Sequence, residues 1–173
     1  DIYFFVGNHD LWMKDYLEEE IGIPVFFEKQ YYEISGKNFL LAHGDGLGPG
    51  DKGYKRMKKL FTNPIAQWFF KWLHPDIAMK IAVYFSTKNK MISGVEDMKF
   101  LGEDKEFLIL YSKEKLKSEK IDYFVYGHRH LPMILDLKID ENAANYVNLG
   151  DWISYFTYGV FDGAEFKIEE YKQ

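Results

Sequence analysis

Cysteine is absent from this 173-residue chain. That excludes disulfides, thiolate metal ligands and cysteine nucleophiles, and it fits a reducing compartment. A basic excess is also absent. The formal net charge is −5, where a general nucleic-acid binder would carry a positive surplus or stripe. The sign leaves a small anionic substrate open, because a few metals and basic side chains can hold one locally. No apolar run is long enough to cross a bilayer. The greasiest stretch, 65–85, is interrupted by Lys71, His74, Pro75, Asp76 and Lys80, whereas a span needs roughly 20 nearly unbroken apolar residues. No signal peptide is recognisable, since the apolar run 2–6 is short and no basic segment precedes it. Internal repeats and low-complexity linkers are missing. So is a starting Met before the first strand-like run, and the chain reads as a piece of something longer.

What is there is globular. Apolar residues make up 47% of the chain and aromatics 18%, enough to build one compact domain with a proper core. Short apolar runs predict strands at 2–6, 31–34, 39–42, 123–126, 133–139, 146–148, 153–161 and 165–170. Ser-Gly-Lys-Asn at 35–38 marks a hairpin. Helical patterns cover 11–20, closed by Gly22 and Pro24, and the charged segment 103–120.

The middle of the chain differs. Ile65, Trp68, Phe69, Trp72 and Leu73 recur at helical spacing, and Ile77, Ile81, Tyr84 and Phe85 repeat it beyond Pro75 and Asp76. These are two short amphipathic helices inserted between strands, within an insertion placed at 61–100. Core packing would account for any one of these residues. As a group they exceed what two short helices usually bury, and a greasy cap over a site is the other reading.

Four apolar strands run straight into polar turns: Gly7-Asn8-His9-Asp10, His43-Gly44-Asp45, Gly127-His128-Arg129-His130 and Leu149-Gly150-Asp151-Trp152. Ligands gather outside the carboxyl ends of strands in sheets with crossover helices. Of the five histidines, four lie at such ends; His74, before Pro75, is read as a helix-end residue. Imidazole and amide oxygen suit Mn, Fe or Zn. His128 and His130, two apart on a segment taken as extended, would point the same way toward neighbouring ions. An ordinary turn with Asp10 as N-cap of the next helix also accounts for 7–10 taken alone.

Gly-Asn-His-Asp, a His after a strand, and Gly-His-x-His, in that order from Phe4 to His130, resemble the third to fifth motifs of the calcineurin-like metallophosphoesterase superfamily. The resemblance implies a four-layer α/β/β/α sandwich, two mixed sheets flanked by helices, as a single domain over 1–173 with the helical cap inserted in it. It implies two divalent metal ions, manganese first, with iron or zinc as alternatives. Asn8, His43 and His128 would bind one ion and His130 the other. His9 would be the general acid, with Asp10 orienting its ring, and a metal-activated water would attack phosphorus. The first two motifs, Asp-x-His and Gly-Asp, have no counterpart before Asn8, so the domain is expected to be N-terminally incomplete. The second metal site would be impaired in this stretch, and hydrolysis by it weak.

A second layer narrows the substrate. The segment from His43 through Asp51, Tyr54 and Arg56, the helical insertion and Leu149-Gly-Asp-Trp152 resemble bacterial UDP-2,3-diacylglucosamine hydrolases of lipid A synthesis. By that resemblance Asp51 would contact the glucosamine, and Tyr54 and Arg56 the glycosyl or phosphate region. Lys80, Ser86, Lys88, Asn89 and Lys90 fall where that family's cap makes polar contacts, although a solvated loop explains Lys88 and Lys90 as well. The implied partners are a lipid-sugar nucleotide and, through the aromatic cap, a membrane surface, with no nucleic acid. The implied location is cytoplasmic, peripheral to the inner membrane. Many of those hydrolases carry Arg where this chain has His9. Two rivals stand beside this reading: a general metallophosphoesterase, and a non-catalytic lipid- or protein-binding descendant of the fold.

Overall fold

The computed structural model describes residues 1–13, 15–50, 52–93 and 99–172, with side chains described except at 85, 86 and 88–93. Asp51, and the side chains of Ser86, Lys88, Asn89 and Lys90, therefore lie outside the described residues. The elements run β1 (Phe4–Phe5), α1 (Tyr16–Glu19), β2 (Val25–Phe26), β3 (Gln30–Ile34), β4 (Lys37–Ala42), α2 (Lys52–Phe61), α3 (Pro64–Lys71), α4 (Pro75–Ser93), α5 (Phe107–Leu116), β5 (Tyr123–Tyr126), β6 (Met133–Ile139), β7 (Asn142–Asn148), β8 (Thr157–Phe161) and β9 (Phe166–Glu170).

A mixed five-stranded sheet, ordered β3-β4-β5-β7-β6, organises the chain. Its three central strands are mutually parallel, while β3 and β6 pair antiparallel at the edges. Strand β5 alternates with period two, as a strand buried on both faces must. Phe124 and Tyr126 pack with Leu108, Ile109 and Leu116 of α5, and Tyr123 and Val125 pack on the opposite face with Phe39 and Val147. That second face is covered by the β8–β9 hairpin through Phe161, Phe166 and Ile168. The parallel pair β1–β2 lies beside it, with Tyr3 against Tyr32 of β3. The molecule is thus a mixed α/β fold whose second layer of strands is two separate two-stranded ribbons.

The hairpin at 35–38 forms as expected, with Ser35 and Gly36 both at positive φ (52° and 77°) in the turn that right-twisted strands favour. Other boundaries differ. The helix expected at 11–20 is only Tyr16–Glu19, because Trp12 leaves that segment to donate its indole N–H to the Phe61 carbonyl at 2.7 Å. The strand expected from 153 starts at Thr157, because Asp151 Oδ1 accepts the N–H groups of Ile153, Ser154 and Tyr155 and folds 152–155 into a turn. The charged helix shortens to Phe107–Leu116, and its buried face carries Leu108, Ile109, Ser112 and Leu116, leaving Phe107 half exposed.

Two helices do flank Pro75. Asn63 caps α3 by accepting from Ile65 and Ala66 N–H, with Pro64 in the first turn, where its missing N–H costs nothing. Pro75 opens α4 in the same way. Their aromatics are not core. Ile65, Trp68, Phe69 and Trp72 stand in solvent, Trp72 at 75% exposure. Among the described residues, no helix is long and apolar enough to cross a membrane.

Candidate metal and phosphate site

Because β4, β5 and β7 are parallel neighbours, their carboxyl ends share one edge of the sheet. That edge receives His43, Gly127–His130 and Leu149–Asp151. Strand β1 brings its own end to the same place. A Cβ built on Gly7 would lie 2.8 Å from His43 Nε2, so only a glycine lets this turn approach the ring. Asn8 follows directly and is half-buried, and His9 next to it is exposed. Asp10 does not cap a helix; its N–H returns to the Gly7 carbonyl at 3.0 Å and its carbonyl accepts Met13 N–H.

The rings of His43 and His128 meet edge-on, at 64° to each other, with centroids 5.3 Å apart. Asp45, buried beneath them, sits 2.8 Å from His43 Nδ1 and also accepts Tyr54 OH at 2.6 Å and Lys58 Nζ at 2.7 Å. Burial alone would raise its pKa, but the hydrogen bonds from His43, Lys58 and Tyr54 prevail and hold the carboxyl well below the usual range. An ionised carboxylate only accepts, so His43 turns its Nδ1–H to Asp45 and leaves Nε2 facing Gly7. Burial, and next the neighbouring His43, push the His128 pKa down to about 4, leaving a neutral imidazole at ordinary pH. Two imidazoles this close, that of His128 neutral, suit a divalent ion of intermediate softness, and Asn8 stands in the turn beside His43.

The Gly127–His130 segment is a turn, not the extended segment expected. His128 and His130 both adopt left-handed backbone, φ 64° and 52°, a conformation that costs non-glycine residues energy and recurs at functional sites. Three contacts impose it: Gly127 N–H to the His43 carbonyl (3.1 Å), Asn148 Nδ2 to the Gly127 carbonyl (2.5 Å), and Arg129 N–H to that same carbonyl (2.7 Å). In this turn His130 lies over Asp151, with Nδ1 3.3 Å from Oδ2. Arg129 points the other way, giving two hydrogen bonds of 2.9 Å to buried Glu106 and one of 2.8 Å to the Lys99 carbonyl. The structure therefore brings His43 and His128 together, with the Asn8 turn against them, and pairs His130 with Asp151. Among the described residues, no three His, Asp or Glu side chains gather around one point. Tyr54 and Arg56 lie on α2, Tyr54 turned to Asp45 and Arg56 exposed.

A cavity of about 230 Å³ opens beside His43, walled by Phe5, Val6, Phe26, Asp45, Lys55 and Lys58. Sequence reasoning missed the supporting residues. Asp45 stands two residues after His43, but nothing in that spacing marks it as the partner of the ring. Glu106 and Asn148 carry no local signal, since their partners lie 23 and 21 residues away.

No family model matches the chain. Full-length comparison is more informative. A UDP-2,3-diacylglucosamine hydrolase of Porphyromonas gingivalis is 36% identical over 98% of this chain and 68% of its own length. The chain belongs to the UDP-2,3-diacylglucosamine hydrolase family. Enzymes of the same name from Yersinia pestis and Yersinia pseudotuberculosis are 26% identical over 87% of this chain. The chain matches 61% of the length of these Yersinia enzymes. The resemblance to this hydrolase family drawn from the segment His43 to Arg56, the helical insertion and Leu149-Gly-Asp-Trp152 agrees with a match over 98% of the chain.

Proposed function

We propose that the protein adds water across the pyrophosphate of UDP-2,3-diacylglucosamine, releasing 2,3-diacylglucosamine 1-phosphate and UMP in lipid A biosynthesis. The observation that carries the reading is the close pair His43 and His128, the first held by Asp45 through Nδ1 and the second neutral, in a chain 36% identical to a UDP-2,3-diacylglucosamine hydrolase. Asn8, His43 and His128 would hold one divalent ion and His130 a second, manganese being the expected metal and the second site the weaker in this stretch. Bound ions would supply positive charge at the phosphate and an activated water. His9, which is exposed, would protonate the leaving phosphate oxygen, with Asp10 orienting its ring. Asp51, Tyr54 and Arg56 would hold the sugar and phosphate; Tyr54 OH spends its proton on Asp45 and keeps lone pairs to accept.

The segment 61–100 acts as the cap. Its exposed Trp68, Phe69 and Trp72 give acyl chains an apolar surface, each buried methylene contributing about 0.8 kcal/mol. The same surface would rest on the cytoplasmic face of the inner membrane. The β1–β2 and β8–β9 ribbons would belong to the second sheet of a four-layer sandwich.

The test is turnover by the natural protein carrying this sequence, with manganese, of acylated against deacylated UDP-glucosamine. We expect a strong preference for the acylated substrate and a loss of about 10²- to 10⁴-fold in His9→Ala. Gly7→Ala, whose methyl would stand 2.8 Å from His43 Nε2, should abolish most activity. Equal turnover of a soluble aryl phosphodiester would favour a general phosphoesterase, and no turnover at all a binding module.

A further inference from the structure

One buried carboxylate beside the site belongs to none of the roles above. Asp45 is almost completely buried, follows the proposed ligand His43 by two residues, and takes hydrogen bonds from three donors on two elements. Its Oδ1 faces His43 Nδ1, and its Oδ2 receives both Tyr54 OH and Lys58 Nζ. Tyr54 and Lys58 are four apart on α2, hence on one face of that helix. None of the residues of α2 is buried, so the helix is seated by polar tethers such as these and Lys55 Nζ to the Gly48 carbonyl (2.6 Å). The Gly44–Gly50 loop beneath is held tightly as well: a Cβ at Gly48, φ +80°, would fall 2.3 Å from the Phe107 carbonyl oxygen.

We propose that Asp45 is a positioning residue that locks the His43 imidazole for a cation and, through Tyr54 and Lys58, couples cation affinity to the seating of α2. This rests on the reading of His43 as a metal ligand. The physical case has two parts. A carboxylate on the far ring nitrogen fixes tautomer and orientation and raises the basicity of the nitrogen facing the ion; losing such a partner typically weakens metal binding about 10- to 100-fold. Coupling follows because one carboxylate serves both partners. When α2 lifts away, Asp45 loses the tyrosine and lysine donors and rotates freely. When a cation fixes His43, Asp45 is fixed too and presents its second oxygen to α2. By linkage the two effects are equal in size.

The experiment is manganese titration calorimetry on the purified protein and its His43→Ala, Asp45→Asn, Tyr54→Phe and Lys58→Met variants. It is joined by ¹⁵N resonances of the His43 ring without metal and amide exchange over 52–61 with and without manganese. We expect the wild-type ring in the Nδ1–H form, mixed tautomers in Asp45→Asn with about 10- to 100-fold weaker manganese binding, and about fivefold weaker binding in Lys58→Met. Manganese should slow exchange in α2 of the wild type and leave Lys58→Met unaffected. If His43→Ala binds manganese as the wild type does, the metal reading itself fails. If His43→Ala is impaired while Asp45→Asn keeps wild-type affinity and tautomer, the positioning role is overturned. Wild-type affinity in both Tyr54→Phe and Lys58→Met would remove the coupling to α2. Should Asp45→Asn fail to fold, the two α2 variants and the wild-type tautomer still decide the matter.

Discussion

The five-stranded sheet and the α3–α4 segment are built from the same kinds of residue and treat them in opposite ways. In β5, Phe124 and Tyr126 are completely inaccessible, whereas Phe69 and Trp72 of α3 are 63% and 75% exposed. The sheet spends its aromatics on stability, layered between α5 and the β8–β9 hairpin. The helices leave theirs unspent, where water tolerates them poorly and an apolar ligand would not. Ordinary folding explains the first arrangement, and the second is the kind of exposed apolar surface that the proposed acyl-chain binding would use.

Truncation at the centre of the sheet should show the largest effect. Phe124→Ala removes a fully buried ring contacted from α5 and the neighbouring strands, and should cost about 3–5 kcal/mol in chemical denaturation. A loss below 1 kcal/mol would mean that the sheet is no better packed than the cap, and the contrast would dissolve.

Acid should separate the regions next. His128 stands at the sheet edge with its pKa lowered to about 4 by burial and by His43. The unfolded chain takes up that proton near pH 6.5 and the folded chain does not, so the unfolded state binds more protons between those values. Stability should therefore be full above about pH 6.5 and fall progressively toward pH 4, by about 3 kcal/mol in total for this group. Asp45 extends the decline to lower pH, since its depressed carboxyl contributes stability above its unfolded pKa that is lost once it protonates. Denaturation midpoints in metal-free buffer across this range should show the slope, and His128→Gln should flatten it between pH 6.5 and 4.

The sheet was largely legible in the sequence and the site only half so. Short apolar runs and the 35–38 turn mark β3, β4, β5 and β6 directly, because strand and hairpin signals are local. The two-residue strands β1 and β2 escape such reading in whole or part, since they are defined by each other. Helix α2 was missed because its residues are mostly polar and none is buried; what seats it is a set of contacts to Asp45 and Gly48 that no periodicity encodes. The histidines announced themselves by standing at strand ends. That His128 and His130 would turn left-handed, sending His130 to Asp151, depended on Asn148 and His43 gripping Gly127 from other strands.

The smallest effect on stability, and the most telling for function, should come from the cap. Trp68 and Trp72 meet at a tilt with centroids 5.7 Å apart, Trp68 also touches Phe69 edge-on, and both indoles are more than half exposed. Replacing either by alanine removes a contact that remains wet on its outer side, so unfolding free energy should change by less than about 0.5 kcal/mol. If the surface receives acyl chains, the same variants should raise KM for acylated UDP-glucosamine while kcat holds, the signature of lost uniform binding. Trp12 offers the internal contrast. Its indole donates to Phe61 and its ring meets Phe70 edge-on at 4.8 Å, tying the turn that carries Asn8 and His9 to α3. Trp12→Ala should therefore lower kcat as well, because loosening that tie disturbs the catalytic turn along with the cap. Identical kinetic profiles for Trp72→Ala and Trp12→Ala would show that cap and turn do not act as separate parts.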